Sequence, residues 1–369
     1  MKGNDMRQDY LVLKSLVKVF GSGEGAVTAV DNVSVEVKEG ELVTLLGPSG
    51  CGKTTTLRMI AGFELPTSGE ILIDGEDVST TPPNRRPTTM VFQNYALFPH
   101  LSVFENIAYG LKIRRDSGQN IRKKAEGVMD LVGLKGFGRR SPAQLSGGQQ
   151  QRVSLARSLV MEPKVLLLDE PLSNLDAKLR VSTRLEIRKL QQRVGITSVY
   201  VTHDQEEAMT LSDRVVIMHQ GKIMQIGTPQ EIYARPVNRF VADFIGKANF
   251  LEGRVGSITA KNEIELDVMG KKFQVSVQKG SFSEGERVLL VVRPESVTLE
   301  PEKPNTLIGT IREAVYLGSE IVYEIEVANS VLTVQVANPQ EHVAFEEGDD
   351  VTITFQEKSL HILPYEEAQ

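Results

Sequence analysis

Two hydrophobic periodicities succeed one another along the chain. In the first part, short apolar runs alternate with stretches whose apolar residues recur at helical spacing. Leu42–Leu46 precedes a helical pattern over Thr54–Ile60, and Val165–Leu168 follows one over Arg152–Val160. Strands that alternate with helices are typical of a mainly parallel sheet covered on both faces. This part of the chain is therefore predicted to form an α/β domain.

A longer helix is expected between the apolar runs Val165–Leu168 and Ser198–Val201. Val181, Leu185 and Val194 fit one face of such a helix. The spacing therefore indicates one apolar helix face.

Beyond about residue 247 the apolar residues recur at every second position. The alternating groups are Ile264, Leu266, Val268; Phe273, Val275, Val277; Ile321, Tyr323, Ile325, Val327; Leu332, Val334, Val336; and Val351, Ile353, Phe355. Short alternating runs separated by turn residues predict a small antiparallel β domain, and their number favours a barrel. The hinge between the domains is expected near Arg235–Ala248.

Composition excludes some classes of protein. The chain has 369 residues with 42 Lys and Arg against 48 Asp and Glu, a formal net charge of −6. This acidic balance disfavours nucleic-acid binding, although a local basic patch stays open. The single cysteine, Cys51, can form no intrachain disulfide. The apolar runs are far shorter than the roughly 20 residues of a spanning helix. Met1–Tyr10 lacks the apolar core of a secretory signal. A cytoplasmic protein is expected.

The first chemical motif is glycine-rich. Gly47–Thr54 matches the pattern G-x-x-x-x-G-K-[ST], with an apolar run before it and a helical pattern after it. Glycines let backbone N–H groups surround a phosphate, and the helix N-terminus adds its positive end. Lys53 is then placed for the β- and γ-phosphates and the Thr54 hydroxyl for Mg²⁺. The alternative is a glycine-rich turn without a ligand.

The second motif is an apolar run that ends in two carboxylates, Val165–Glu170. Ligands of parallel sheets bind at the carboxyl ends of the strands. Asp169 is therefore predicted to hold Mg²⁺ through water, and Glu170 to take a proton from an attacking water. Taken alone, the pair could simply begin a solvated loop.

A second candidate anion site lies at Leu145–Gln149, Leu-Ser-Gly-Gly-Gln, ahead of a helical pattern. One chain needs one phosphate cradle per nucleotide, so the second would serve a nucleotide held by another copy. This predicts a head-to-tail dimer with two ATP molecules between the subunits. The alternative is a capped helix with a glycine-rich lead-in.

These motifs, in this order, resemble those of the ATP-binding cassette (ABC) ATPases, over about residues 10–245. The matching elements are Gly47–Thr54 (Walker A), Gln93 (Q-loop), Leu145–Gln149 (signature), Val165–Glu170 (Walker B), Ser173–Asp176 (D-loop) and His203 (switch histidine). The resemblance implies a P-loop NTPase domain with a helical subdomain at about 95–160. It also implies ATP and Mg²⁺ as cofactors.

The resemblance assigns roles residue by residue. Glu170, His203 and Gln93 would be catalytic, with His203 donating a hydrogen bond to the γ-phosphate. Phe20, ahead of the first sheet strand, would stack on adenine, and Asp176 would bridge to the other subunit. The full nucleotide-binding set is Phe20, Gly47, Pro48, Ser49, Gly50, Cys51, Gly52, Lys53, Thr54, Thr55, Ser146, Gly147, Gly148, Gln149 and Asp176, and the metal set is Thr54, Gln93 and Asp169.

The β domain points to an importer. Arg293-Pro294-Glu295, with the alternation that follows, resembles the C-terminal OB-like (TOBE) extension of importer ATPases. Residues 1–240 would then be the cassette and 241–369 a regulatory domain. The resemblance implies a homodimer, two transmembrane permease subunits docked near Tyr95–Gly110, and an extracytoplasmic solute-binding protein. The chain would lie peripherally on the cytoplasmic face of the inner membrane.

The solute is argued from similarity alone. Arg239–Phe250 and Tyr200–Ala208 look most like spermidine/putrescine and ferric-ion importers, whereas Ser173–Asp176 is shared with sugar importers. Polyamine is favoured, ferric ion is second and sugar third. Two other classes stay open: a regulatory or binding module whose shape ATP sets, and, disfavoured by the charge, a nucleic-acid ATPase.

Overall fold

The computed structural model describes residues 9–258, 263–277, 282–301 and 307–365. The chain folds as two compact units, Met1–Pro229 and Gln230–Gln369. Most of the N-terminal segment considered as a secretory signal, residues 1–8, lies outside the described residues. Among the described residues, none of the helices combines the length and apolar character that a bilayer crossing requires.

The first unit alternates strands and helices. In chain order they are β1 (Asp9–Phe20), β2 (Val27–Lys38), β3 (Leu42–Leu46), α1 (Lys53–Ala61), β4 (Ser68–Ile73), β5 (Glu76–Asp77), β6 (Thr88–Val91), α2 (Val103–Ile113), α3 (Gly118–Leu131), α4 (Gly147–Leu159), β7 (Val165–Asp169), α5 (Ala177–Val194), β8 (Thr197–Thr202), α6 (Gln205–Leu211), β9 (Arg214–His219) and β10 (Lys222–Gly227).

A mainly parallel sheet forms the centre of this unit. Its order is β10-β9-β3-β8-β7-β6; β9, β3, β8, β7 and β6 run parallel, and β10 joins the edge antiparallel to β9. Every residue of β3 and β8 is buried, as expected for strands covered on both faces. The predicted parallel sheet is confirmed, and the carboxyl ends of β3, β7 and β8 share one edge.

A second, antiparallel sheet of order β2-β1-β4-β5 lies in the same unit, and the sequence pattern did not predict it. Register shifts interrupt the pairing of β1 with β2 at several positions. Such bulges break the strict alternation that marks a half-buried strand. Phe20 is the last residue of β1, so the expectation that it precedes the first strand is wrong.

Helices α2, α3 and α4 form a separate apolar cluster within the region predicted to be helical. Ile107 and Leu111 of α2 pack there with Met129 of α3 and with Val153 and Val160 of the α4 end. The N-terminus of α4, where the Leu145–Gln149 motif lies, is thus carried by this helical layer.

The expected apolar face of α5 is not its buried face. Val181, Leu185 and Val194 are 53%, 47% and 42% exposed. The helix instead buries a largely polar face that includes Arg184 and Gln191. Those side chains make hydrogen bonds, Gln191 for example donating to the carbonyl oxygens of Gly40 and Ile196. The sequence pattern does not reveal this face, because a buried polar residue with hydrogen-bond partners looks the same in sequence as an exposed one.

The second unit is built of strands after two short helices. The elements are α7 (Pro229–Ala234), α8 (Arg239–Phe244), β11 (Asn249–Ile258), β12 (Glu263–Val268), β13 (Lys271–Ser276), β14 (Arg287–Val292), β15 (Val297–Pro301), β16 (Leu307–Tyr316), β17 (Glu320–Val327), β18 (Ser330–Ala337), β19 (Asp350–Phe355) and β20 (His361–Pro364). They pair antiparallel in two sheets, β13-β12-β11-β14-β20 and β15-β19-β16-β17-β18, rather than in one closed sheet. Both sheets share one apolar core, which contains Leu266, Val275, Tyr323, Val334 and Ile353.

Arg293 ties the two short helices to the strands of the second unit. It is 5% exposed, and its guanidinium donates to the carbonyl oxygens of Tyr233, Ala242 and Lys247. The chain accordingly divides after Pro229, earlier than the predicted division after residue 240. The assignment of residues 241–369 as a regulatory domain stays a prediction.

Candidate active site

The loop between β3 and α1 requires glycine at two positions. A Cβ atom on Gly47 would lie 2.2 Å from the carbonyl oxygen of Met218, and one on Gly52 would lie 2.4 Å from that of Ala29. Both neighbours are backbone atoms that cannot turn aside. Gly52 also has a φ of 101°, a backbone conformation that residues with a Cβ atom rarely adopt. The loop therefore turns tightly into α1, with its N–H groups uncovered by side chains at these two positions.

Lys53 is a buried cation at the start of α1. The residue is 5% exposed, and its ammonium donates to the carbonyl oxygens of Gly47 and Pro48 at 2.7 and 2.9 Å. The Sγ atom of Cys51, itself buried, lies 3.7 Å from Nζ. The first turn of α1 contains no acidic residue. A helix N-terminus beside a lysine is a favourable place for an anion.

Asp169 ends β7 opposite Thr54 of α1. The Thr54 Oγ1 and Asp169 Oδ1 atoms are 3.5 Å apart. Burial raises the pKa of the Asp169 carboxyl, and the neighbouring charge of Glu170 raises it further. A divalent cation would relieve both effects. Mg²⁺ is coordinated by oxygen atoms, commonly together with phosphate and water. The Thr54 hydroxyl, the Asp169 carboxylate and the amide oxygen of Gln93 therefore fit a magnesium ion.

The carboxylate of Glu170 lies beside both other predicted catalytic residues. His203 Nδ1 lies 3.2 Å from Glu170 Oε1, and Gln93 Nε2 lies 3.4 Å from Oε2. The φ of Glu170 is 43°, a strained conformation for a residue with a side chain. Its N–H donates to the carbonyl oxygen of Val201 in β8, which helps to hold that conformation. Side chains from two other loops thus converge on the Glu170 carboxylate.

The segment after Glu170 joins this cluster to the Gln93 loop. Ser173 Oγ donates to the carbonyl oxygen of Glu170 at 2.9 Å, and Asn174 Nδ2 donates to that of Gln93 at 2.9 Å. Asn174 belongs to the D-loop by sequence, but its hydrogen bond to the Gln93 backbone was not predicted. An asparagine four residues beyond a predicted catalytic carboxylate forms no pattern that indicates a specific partner.

The signature residues are arranged locally. Ser146 caps α4: its Oγ accepts from the Gln149 N–H, and its own N–H donates to Gln149 Oε1. Asp176 likewise caps α5 by accepting from the Leu179 N–H. Gly147 and Gly148 form the first turn of α4. The polar contacts of these residues are thus with their own helix starts, and the structure does not bring them to the Lys53 cluster of the same chain.

Phe20 presents an open ring at the end of β1. It is 41% exposed, and the ammonium of Lys18 lies 4.8 Å from the ring centroid. An exposed aromatic face is suited to stacking on a nucleobase. Its role toward adenine stays a prediction.

Two family models match the chain. The ABC transporter model covers residues 30–173, and the TOBE domain model covers residues 290–363. The first match includes the loop of Lys53 and the strand of Asp169. The second lies within the all-β unit.

Two curated relatives match almost the whole chain. The Fe(3+) ions import ATP-binding protein FbpC 1 of Rhizobium meliloti (strain 1021) is 47% identical over 359 residues, covering 96% of this chain and 97% of the relative. The spermidine/putrescine import ATP-binding protein PotA of Mesorhizobium japonicum is 46% identical over 349 residues, covering 94% and 95%. The chain belongs to the ABC transporter ATP-binding proteins. As such it is an ATPase.

Solved ABC cassettes agree with this placement. A dimeric ATP-binding cassette, MJ0796, in a post-hydrolysis state with ADP and phosphate, is 34% identical, covering 59% of this chain and 98% of its own, with a TM-score of 0.52. The cassette cbiO1 from Clostridium perfringens is 30% identical, covering 62% and 92%, with a TM-score of 0.57. The predicted fold class is confirmed: an ABC ATPase domain followed by a smaller all-β TOBE domain.

Proposed function

We propose that this ABC protein is the ATP-hydrolysing subunit of an import complex, peripheral on the cytoplasmic face of the inner membrane. The observation that carries the proposal is the convergence of Gln93, Glu170 and His203 beside the buried Lys53 loop. These three residues are suited to hydrolysing a nucleotide rather than only binding it. The relatives described above are named as import ATP-binding proteins.

The N–H groups at the start of α1 and the ammonium of Lys53 bind the triphosphate. Lys53 exchanges its carbonyl partners for phosphate oxygens, a stronger charge-assisted bond. Phe20 stacks on adenine. Thr54, Asp169 and Gln93 would hold Mg²⁺, which supplies charge neutralisation on the phosphate oxygens.

Glu170 accepts the proton of the attacking water. Its backbone N–H is bonded to the carbonyl oxygen of Val201, and its carboxylate is flanked by Gln93 and His203. His203 then swings from Glu170 to donate to the γ-phosphate, which its 60% exposed side chain permits. Catalysis of phosphoryl transfer is mainly positioning and charge stabilisation of this kind.

A second copy completes each site. Ser146, Gly147, Gly148 and Gln149 start α4 with N–H groups suited to an anion, yet their own polar contacts are local. We infer that they close on the nucleotide held by the partner, with Asp176 bridging between the subunits. A homodimer with two shared ATP molecules would then drive two permease subunits supplied by a solute-binding protein.

For the solute we place ferric ion first and polyamine second. Fe(3+) import relatives reach 47–48% identity, against 46% for the polyamine relative. This reverses the order drawn from sequence.

ATP turnover and vesicle uptake test the proposal together. Glu170→Gln should slow hydrolysis about 10²- to 10⁴-fold while ATP still binds and holds the dimer. Glu126→Gln, an exposed carboxylate on α3, is the matched control and should hydrolyse normally. Normal ATP turnover by Glu170→Gln would show that Glu170 does not accept the proton of the attacking water.

Reconstitution with the co-purifying membrane subunits then decides the solute. Uptake of chelated Fe(3+) that needs ATP and fails with Glu170→Gln supports iron, and uptake of spermidine supports the second candidate. ATPase activity without uptake of any solute would favour the regulatory-module alternative.

A further inference from the structure

The switch histidine has little packing of its own. His203 lies between the end of β8 and the start of α6, and its side chain is 60% exposed. Its imidazole meets Glu170 across 3.2 Å. An exposed side chain reaches a defined point only if the backbone that carries it is held. The residues on either side of His203 therefore decide where the imidazole can reach.

A buried carboxylate lies behind this backbone. Glu207 of α6 is 3% exposed, and its Oε2 accepts hydrogen bonds from the Tyr200 hydroxyl at 2.9 Å and the Thr202 hydroxyl at 2.8 Å. Tyr200 and Thr202 belong to β8, two positions apart. One carboxylate oxygen thus joins α6 to the strand that ends at His203.

The same cluster reaches the other side of His203. Thr202 Oγ1 accepts from the backbone N–H of Asp204 at 2.9 Å. Asp204 caps α6 by accepting from the Glu207 N–H, and its carboxylate lies 3.4 Å from a nitrogen of Arg180. The residues immediately before and after His203 are therefore tied to each other and to Glu207.

This arrangement is costly if it serves stability alone. Burial raises the pKa of the Glu207 carboxyl, which reflects unfavourable removal of the charge from water. A buried ionic or polar cluster is often no more stabilising than apolar side chains of the same volume. Tyr200 and Thr202 lie on a strand whose residues are all buried, where apolar side chains would need no hydrogen-bond partners.

We propose that Glu207 is a positioning residue for ATP hydrolysis, holding the backbone on both sides of His203 through the hydroxyls of Tyr200 and Thr202. In this role Glu207 acts through the histidine rather than on the nucleotide itself. The inference rests on the ATPase activity and on the proposed role of His203, and it is independent of which solute is imported.

Two substitutions at Glu207 separate geometry from charge. Glu207→Gln keeps an acceptor oxygen for both hydroxyls, so its kcat should stay within about threefold of the parent value. Glu207→Leu removes the acceptor and should lower kcat about 10- to 100-fold, because a small misplacement of a catalytic group has effects of this size. The KM for ATP should change less than about twofold, since the Lys53 loop is untouched.

A double-mutant cycle with His203→Ala provides the decisive readout. If Glu207 acts through the histidine, Glu207→Leu should have little further effect on kcat once His203 is gone. An equal loss of kcat in both backgrounds would overturn the proposal, as would a normal kcat in Glu207→Leu. A normal kcat in His203→Ala would instead overturn the role of the histidine, and the proposal with it.

A second variant guards against misfolding. Thr202→Val removes one hydroxyl at nearly constant volume and should reproduce the fall in kcat with unchanged KM. If Glu207→Leu is unfolded by circular dichroism, the same cycle is measured with Thr202→Val. ATP-driven uptake measured in parallel reports on the proposed function separately, since the ATPase cycle can succeed where uptake of iron or polyamine fails.

Discussion

Arg86 should be one of the most stabilising side chains in the cassette. It is 6% exposed, and its guanidinium donates to four carbonyl oxygens at 2.6 to 3.0 Å, those of Met59, Ile60, Ser79 and Thr81. Two of these carbonyls, those of Met59 and Ile60, belong to the last turn of α1, where carbonyl groups need partners from outside the helix ladder; that of Met59 also accepts from the N–H of Gly62. A cation at this end also interacts favourably with the helix dipole. Arg86 thus anchors the helix that begins at Lys53.

The free energy of unfolding that is lost when Arg86 is replaced can be estimated. Leaving a buried polar group unpaired costs about 1–3 kcal/mol, and four carbonyls lose a partner together in Arg86→Met. Two effects offset part of this cost. The variant no longer buries a charge, and that burial lowers the pKa of the Arg86 guanidinium in the parent protein. Water will also reach some of the carbonyls that Arg86 leaves. We therefore expect a net loss of about 3–5 kcal/mol, near the lower end of the sum for four unpaired carbonyls.

Urea unfolding of the full chain, followed by circular dichroism, measures this loss. Arg86→Lys should lose about 2 kcal/mol, because one ammonium cannot fork to four acceptors. Arg85→Met, at the exposed neighbour, should change stability by less than about 0.5 kcal/mol. A loss below about 1 kcal/mol for Arg86→Met would refute the reasoning.

Three further predictions follow from the site. Asn174→Ala removes the hydrogen bond to the Gln93 carbonyl oxygen and should lower kcat about fivefold, the equivalent of about 1 kcal/mol; an unchanged kcat in steady-state assays would contradict it. Because the pKa of Asp169 is raised in the folded state, the ionised carboxylate destabilises the ATP-free protein, and this effect disappears as pH falls toward the ordinary carboxyl range. Asp169→Asn should therefore be the more stable protein at pH 7 by chemical denaturation, with an advantage that shrinks on acidification; an advantage that grows would reverse the sign. Phe20→Ala should weaken ATP binding by the equivalent of about 1–3 kcal/mol in calorimetry, with Phe20→Tyr close to the parent, and equal affinities for all three would remove the ring from the adenine site.

Local motifs made much of the site predictable from the sequence. The glycine pattern before Lys53 and the carboxylates after Val165–Leu168 each mark the end of a buried strand. Because parallel strands bring such ends to one edge of a sheet, the two motifs alone predict that Thr54 and Asp169 are neighbours.

Features that depend on partners distant in sequence are not predictable from local motifs in this way. The buried face of α5 does not follow from the spacing of its apolar residues, because Arg184 and Gln191 are buried with hydrogen-bond partners. The antiparallel sheet does not follow from the sequence pattern, because bulges disturb the alternation in β1. Glu207 lies three residues after a capping aspartate, a spacing that predicts only a helix start, and its real partners lie on the neighbouring strand.

The central claim is that two copies share each nucleotide. It is tested most directly by mixing two inactive proteins, Lys53→Ala and Ser146→Arg, and measuring ATP hydrolysis. A mixed dimer has one site that joins the intact Lys53 loop of one subunit to the intact Ser146 turn of the other, so activity should return well above that of either protein alone. If Lys53 and Ser146 served the same nucleotide within one chain, no intact site could form, and a mixture as inactive as its components would contradict the account.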